Sequence, residues 1–302
     1  MTATPGAEHA ERFTHLRPLL FTIAYEILGS ATEADDVLQD SYLRWADVDL
    51  ATVRDTKAYL AQLVTRQALN ALRVRARRRE DYIGPWLPEP LLLEPTDASS
   101  DVILAESVSM AMLVVLETLT PDERAVFVLH EVFGFSHDEI ASTIDKSPNA
   151  VRQMAYRARE HVQSRRRRMK PVDFTTSVRV AEQFMTTAAN GDMEQLLSML
   201  APDAAWTADS GGKAPAVRRP VVGAKKVAAL VVSFLRRGPE RVPGLRFETV
   251  NCNNAPAIVV YGGDELLGVF LVEVVDGKIT NFYAMANPEK LAGIAQPRTI
   301  RR

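Results

Sequence analysis

Residues 120–161 read TPDERAVFVLHEVFGFSHDEIASTIDKSPNAVRQMAYRAREH, and they hold three helix starts in succession. Thr120-Pro121-Asp122-Glu123 is a capping box with proline at the first helical position, Ser136-His137-Asp138-Glu139 is a second box, and Ser147-Pro148 is a third cap-plus-proline start. Gly134 and the short Asp145-Lys146 break stop each helix where the next must turn. Val151, Ala155, Ala158 and Val162 recur at helical spacing and give the last helix a buried side. Its other face carries Asn149, Arg152, Gln153, Tyr156, Arg157 and Arg159, hydrogen-bonding and cationic groups suited to base edges and phosphates. The pattern predicts a support helix followed by a helix-turn-helix. A mere three-helix packing unit would not require a second helix so rich in donors.

Working outward, 302 residues allow two or three domains. The net charge of −2 excludes a uniformly basic coat. The charge is instead segregated: Arg73–Arg79 and Arg165–Lys170 are basic and Asp35–Asp49 acidic, which suggests one surface for a polyanion and another for a basic partner. The one cysteine, Cys252, excludes an intrachain disulfide framework and a multi-cysteine zinc site, so no metal or cofactor is expected. The first residues lack the apolar run of a signal peptide, and no segment has the apolar length to cross a bilayer. The expected location is cytoplasmic.

Upstream, residues 8–28 form a helical pattern ended by Gly29. Ser30 or Thr32 then caps a helix with Ala34, Val37, Leu38, Ser41, Tyr42 and Trp45 inside and Asp35, Asp36, Gln39, Asp40 and Arg44 outside. A third helix, 56–79, sets Arg66, Asn70, Arg73 and Arg77 along one stripe, and its arginine-rich end exceeds what the helix dipole calls for. Phosphate attraction explains that excess economically. The run Ala34 to Asp40 with Tyr42-Leu43-Arg44-Trp45 resembles the core-polymerase-binding helix of bacterial sigma factors, and Tyr59-Leu60 through Leu72-Arg73 resembles the helix that opens the −10 element. Leu119 to Phe127, Phe135-Ser136 and Asn149 to Gln153 resemble the −35-reading domain of the extracytoplasmic-function group. Arg66 and Asn70 stand where many members carry Asn and Asp, a departure that bears on −10 base preference.

Between these domains lie Pro85, Pro88, Pro90 and Pro95, a density that predicts an extended linker. Its apolar residues Trp86, Leu87, Leu91, Leu92 and Leu93 call for a docking surface. The string Trp86-Leu87-Pro88-Glu89-Pro90 resembles the linker of sigma factors with a fused carboxy-terminal domain. From Lys170-Pro171 onward, two helices are followed by strand patterns at 205–208, 246–251, 257–261, 266–275 and 279–285, with a helix at 223–236 and an Asp276-Gly277 hairpin turn. This order resembles the SnoaL-like cone. Asp209-Ser210-Gly211-Gly212-Lys213 and Asn287-Pro288-Glu289-Lys290-Leu291 are similar to its two motifs, with Ser210 and Glu289 as departures.

The resemblance, of the SigJ type, implies a multi-domain initiation factor and not an enzyme. Its expected parts are a helical domain at 8–80, a linker at 81–100, a helix-turn-helix domain at 101–168 and, at 171–302, an α+β cone with a curved antiparallel sheet. Asp35, Asp36, Gln39, Asp40 and Arg44 would meet core RNA polymerase. Arg66, Asn70, Arg73 and Arg77 would hold the −10 region and its melted strand; Asn149, Arg152, Gln153, Tyr156, Arg157 and Arg159 would read the −35 duplex, with Arg165–Arg168 on phosphates. Trp86, Leu87, Pro88, Glu89 and Pro90 would meet Asp209, Lys213, Asn287, Pro288, Lys290 and Leu291, a contact that modulates activity in a direction the residues leave open. Two other readings stand beside this one: a ligand-sensing regulator that binds DNA without polymerase, and a cone enzyme using Asp203, Asp209, Tyr261 or Tyr283. Every histidine precedes the cone, Asp209 beside two glycines reads as a turn residue, and any small ligand of the cone is unidentified.

Overall fold

The computed structural model describes residues 6–78 (side chains through 75), 82–94, 101–165, 174–291, 294 and 296–302. The first unit is a three-helix bundle of α1 (Ala7–Leu28), α2 (Ala31–Ala46) and α3 (Thr56–Arg78). Ser30 is the cap of α2, its hydroxyl accepting from Glu33 N at 3.0 Å. The sequence pattern gives α1 one apolar stripe, yet all ten residues from Leu19 to Leu28 are buried. A helix covered all round lies between modules instead of on a surface.

The second unit comprises α4 (Val102–Ser107), α5 (Met110–Leu116), α6 (Pro121–Phe127), α7 (His137–Ile144) and α8 (Pro148–Arg165). A π turn, Val128–Val132, continues α6. Both capping boxes close reciprocally, and the Ser147 hydroxyl accepts from Ala150 N at 3.2 Å. Gly134 at φ 72° and Asp145 at φ 56° make the left-handed turns. On α8, Val151, Ala155, Ala158 and Val162 are buried as the spacing predicts, joined by Met154.

The last unit places α9 (Phe174–Asn190), α10 (Met193–Met199) and α11 (Ala224–Arg241) against one sheet. Its strands are β1 (Leu200–Asp209), β2 (Val221–Val222), β3 (Leu245–Cys252), β4 (Ala255–Gly262), β5 (Glu265–Val275) and β6 (Lys278–Met285), in the order β2-β1-β6-β5-β4-β3; a short α12 (Pro288–Leu291) follows. Hairpins make β3 to β6 antiparallel, and Asp276-Gly277 supplies one of the turns, with φ 49° and 74°. The expected antiparallel sheet is mixed, however, because β1 pairs parallel with β6. No hairpin joins those two strands, so local turn chemistry does not set their direction.

Both faces of this sheet are covered. Ile258, Val260, Phe270, Val272 and Phe282 belong to the cone's own core, whereas Val259, Leu271, Tyr283 and Met285 pack with Leu87 and Met110. The helical units and linker residues Leu91 and Leu93 share one apolar core, and that core also takes in Ile300, 2% exposed. Residues 296–302 therefore return from the cone across the helical units. Ile300→Ala is expected to lower stability by about 2–5 kcal/mol in chemical denaturation. Arg301→Ala, at an exposed side chain, should stay within about 0.5 kcal/mol of the parent.

Candidate functional site

The linker runs between the three units: its polar groups find partners on the first unit and on the cone, and Leu87 packs with Met110 of the second. Asp209 closes β1 with its carboxylate fully buried; it serves the turn that its glycine neighbours suggest and, in addition, the linker. One oxygen accepts from Leu87 N at 2.8 Å and Lys290 Nζ at 2.7 Å; the other accepts from Tyr82 OH and from Gly211 N at 3.1 Å. Lys290 also donates to Leu87 O at 2.7 Å, and its ammonium lies 3.3 Å from the Trp86 ring centroid. Burial lowers the Lys290 pKa against the opposing pull of Asp209. Burial, then the Asp209 carboxylate, raises that of Tyr82. A Cβ on Gly211, at φ 56°, would come within 2.6 Å of the Asn287 amide, so glycine is required there. Lys213 points to solvent and pairs with Glu289, short of the linker.

Glu89 binds in the other direction. Its carboxylate accepts from Ser30 Oγ at 2.7 Å and Thr32 N at 3.1 Å, at the positive end of α2. Asn253, in the β3–β4 turn at φ 54° and fully buried, ties the remaining pieces together. Its side chain accepts from Leu91 N at 2.8 Å and donates to Tyr25 OH at 2.7 Å and Val108 O at 2.8 Å. Leu92 bridges to Cys252, and Leu93 to Arg298. Pro88 and Pro90 are buried, and neither needs an N–H partner.

A second buried cluster joins the helical units directly. Arg124 on α6, 1% exposed, donates to Glu26 O at 2.9 Å and Glu117 Oε1 at 2.6 Å. Glu26 on α1 is fully buried; one carboxyl oxygen accepts from Ser107 Oγ at 2.7 Å, and the other has no partner among the described residues. Burial pushes its pKa up to about 8, against the smaller effects of Ser107 and Arg124. Gly29, at φ 68°, leaves room for this cluster, because a Cβ there would lie 2.8 Å from Glu117 Oε1.

The expected polymerase and DNA residues fall into distinct states. Asp36, Gln39, Asp40 and Arg44 are exposed, but Asp35 is tied to Arg298 at 2.6 Å and Arg17 at 2.9 Å. On α3, Asn70 is exposed, and the side chain of Arg77 lies outside the described residues. Arg66 donates to Thr143 O and Ser142 O, both at 2.8 Å, capping the carboxyl end of α7. Arg73 donates to Asp122 at 2.6 Å. On α8, Asn149, Arg152, Gln153, Tyr156, Arg157 and Arg159 are all exposed, with Arg157 paired to Glu123 at 3.0 Å and Arg159 to Glu131 at 2.5 Å. Such exposed pairs are worth little and exchange readily for phosphates. Arg165 is exposed, and Arg166–Arg168 lie outside the described residues.

The cone's acid–base candidates do not converge. Asp203 is exposed, Asp209 serves the linker, Tyr261 lies under Arg246, and Tyr283 donates to Glu273 at 3.0 Å. The interior is filled by Phe184, Trp206, Phe270 and Phe282, with ring centroids 5.3–5.6 Å apart. A cavity of about 130 Å³ between Ile83–Pro85 and Ala214–Arg218 is smaller than the roughly 300 Å³ of usual ligand pockets.

Residues 12–78 match the family model for Sigma-70 region 2, and 109–162 match that for Sigma-70, region 4. The chain is 35% identical to the ECF RNA polymerase sigma factor SigJ of Mycobacterium tuberculosis, over 93% of this chain and 92% of that protein. The chain belongs to the ECF RNA polymerase sigma factors. The crystal structure of Mycobacterium tuberculosis SigJ superposes with a TM-score of 0.75 at 32% identity, covering 95% of this sigma factor and 99% of that chain. A further Mycobacterium tuberculosis protein, named "Probable ECF RNA polymerase sigma factor SigI", is 29% identical over 91% of this chain and 92% of its own.

Two outcomes follow from the buried charges of this sigma factor. Lys290→Met strands the Asp209 carboxylate and should cost about 3–5 kcal/mol, read as a lower unfolding midpoint and faster proteolysis at Trp86-Leu87. Glu26 holds its proton more tightly in the folded chain than at its ordinary 4.5, so its contribution is complete below pH 4.5 and lost as pH rises toward about 8. Glu26→Gln should flatten the fall in thermal midpoint across that window.

Proposed function

We propose that this sigma factor rests in a closed state, held by its cone and by residues 296–302, and that core RNA polymerase and promoter DNA compete with that state. A sigma factor binds core polymerase and directs promoter-specific initiation. Within that role, Asp36, Gln39, Asp40 and Arg44 are the polymerase contacts. Arg66, Asn70, Arg73 and Arg77 hold the −10 region and its melted strand. Asn149, Arg152, Gln153, Tyr156, Arg157 and Arg159 read the −35 groove. The functional units are 8–80, 81–100, 101–168 and 171–302, acting in the cytoplasm without catalysis, and no helix among the described residues is long and apolar enough to cross a membrane.

One observation carries the reading. The −10 and −35 elements lie about 25 base pairs apart, roughly 85 Å along a duplex. Yet the −10 candidates Arg66 and Arg73 bond to Ser142, Thr143 and Asp122 of the −35 unit. One arginine cannot grip both phosphate and α7, so promoter engagement requires the units to part. Asp35 adds a second conflict, because Arg298 occupies it on the polymerase-facing helix. The cone thus acts in cis as a restraint.

Lysine at Asp36 and Asp40 should abolish association with purified core polymerase. Alanine at Arg298 should instead raise that affinity and the yield of run-off transcript several-fold. Equal or lower output from Arg298→Ala would sink the restraint.

A further inference from the structure

Residues 211–246 hold nine lysines and arginines against one acid, Glu240, in a chain whose net charge is −2. Five of the cations lie on α11: Lys225, Lys226, Arg236, Arg237 and Arg241, all exposed. At 100° per residue, Lys225 and Arg236 share one line along the helix and Lys226 and Arg237 the next, with Arg241 beside them, so the five occupy one half of its circumference. Arg218 and Arg219, also exposed, stand in the loop that leads into β2 and α11. Among the described residues none of these seven has an acidic partner within 4.0 Å. The helix dipole accounts for Arg241 in the last turn of α11 but not for the rest of the arrangement. Lys225 and Lys226 sit in the first turn of α11, where the helix dipole disfavours positive charge.

We infer that this face of α11 is a second contact for the DNA backbone, separate from the helices that read the promoter. Its two ends, Lys225 and Arg241, are about 24 Å apart along the helix, enough to reach phosphates on both sides of a groove roughly 12 Å wide. The opposite face of α11, through Val227, Ala228 and Val231, is buried in the cone, so the helix has no apolar side to insert into a lipid surface. Phe234 and Phe247, the large apolar residues nearby, pack edge-to-face on each other. What remains is a purely electrostatic surface, and duplex DNA is the polyanion already tethered to a sigma factor at a promoter. The inference rests on the sigma-factor reading. It assigns the cone a part in affinity, not in sequence choice.

The test uses holoenzyme assembled from core polymerase and the full chain, with promoter duplex, random-sequence duplex and phosphatidylserine vesicles as probes. One variant carries Arg236→Gln, Arg237→Gln and Arg241→Gln, and a second carries Lys225→Gln and Lys226→Gln. Each lost phosphate contact should reduce the slope of log affinity against log salt by about 0.9, equally on both duplexes and with the promoter-to-random ratio unchanged. Unaltered assembly with core polymerase shows that the variants fold. A slope equal to the parent's in both variants, or a loss confined to the vesicles, overturns the inference. If the parent chain fails to join core polymerase, the sigma-factor reading fails first. Normal parent binding with unchanged variant slopes removes this inference alone.

Discussion

A peptide segment that passes through a protein interior without regular structure must find a partner for every N–H and C=O it buries. Residues 86–93 meet that demand with side chains and backbone from the first helical unit and from the cone. Leu87 uses Asp209 and Lys290, the Glu89 backbone uses Gly29 O and the Tyr25 hydroxyl, and Leu91 uses both ends of Asn253. Pro88 and Pro90 reduce the number of donors to be satisfied. The first unit and the cone thus share the linker: withdrawing the cone leaves the N–H groups of Leu87 and Leu91 without their partners, and withdrawing the first unit does the same for Glu89.

Charge follows the same logic. The carboxylate of Asp209 and the ammonium of Lys290 are tolerated in the interior because they meet each other and the remaining lone pairs and protons are used. The cluster between the helical units is built differently: the charge of Arg124 is paired with Glu117 at 2.6 Å, whereas Glu26, its pKa pushed up to about 8, is held neutral near pH 7. A buried polar oxygen without a partner, as at Glu26 Oε2, is left unsatisfied among the described residues.

The legible parts of the sequence were the local ones. Capping boxes at Thr120 and Ser136 and the Asp276-Gly277 turn act within four residues, so residue type alone reveals them. Strand alternation was visible too, but not that the second face of the sheet would be covered, because Val259 and Leu271 meet Leu87 only across the whole chain. The motif residues Asp209 and Lys290 were found by resemblance, whereas Tyr82, Asn253, Arg298 and Ile300 gave no signal. Asn253 looks like any turn residue, and Arg298 pairs with Asp35 across 263 positions. Arg66 shows the opposite limit: its stripe fits phosphate, yet here its partners are backbone carbonyls, which no side-chain pattern encodes.

Ile300 occupies a core otherwise formed by helices and linker residues before position 163. During synthesis that core exists for some time without it, because well over a hundred residues must still be joined at about 5–20 per second. The core is therefore completed by a part of the polypeptide made late, and for several seconds a nascent molecule has its first helices without Ile300. The contacts of Ile300 thus form in the order of translation, after the helices they join.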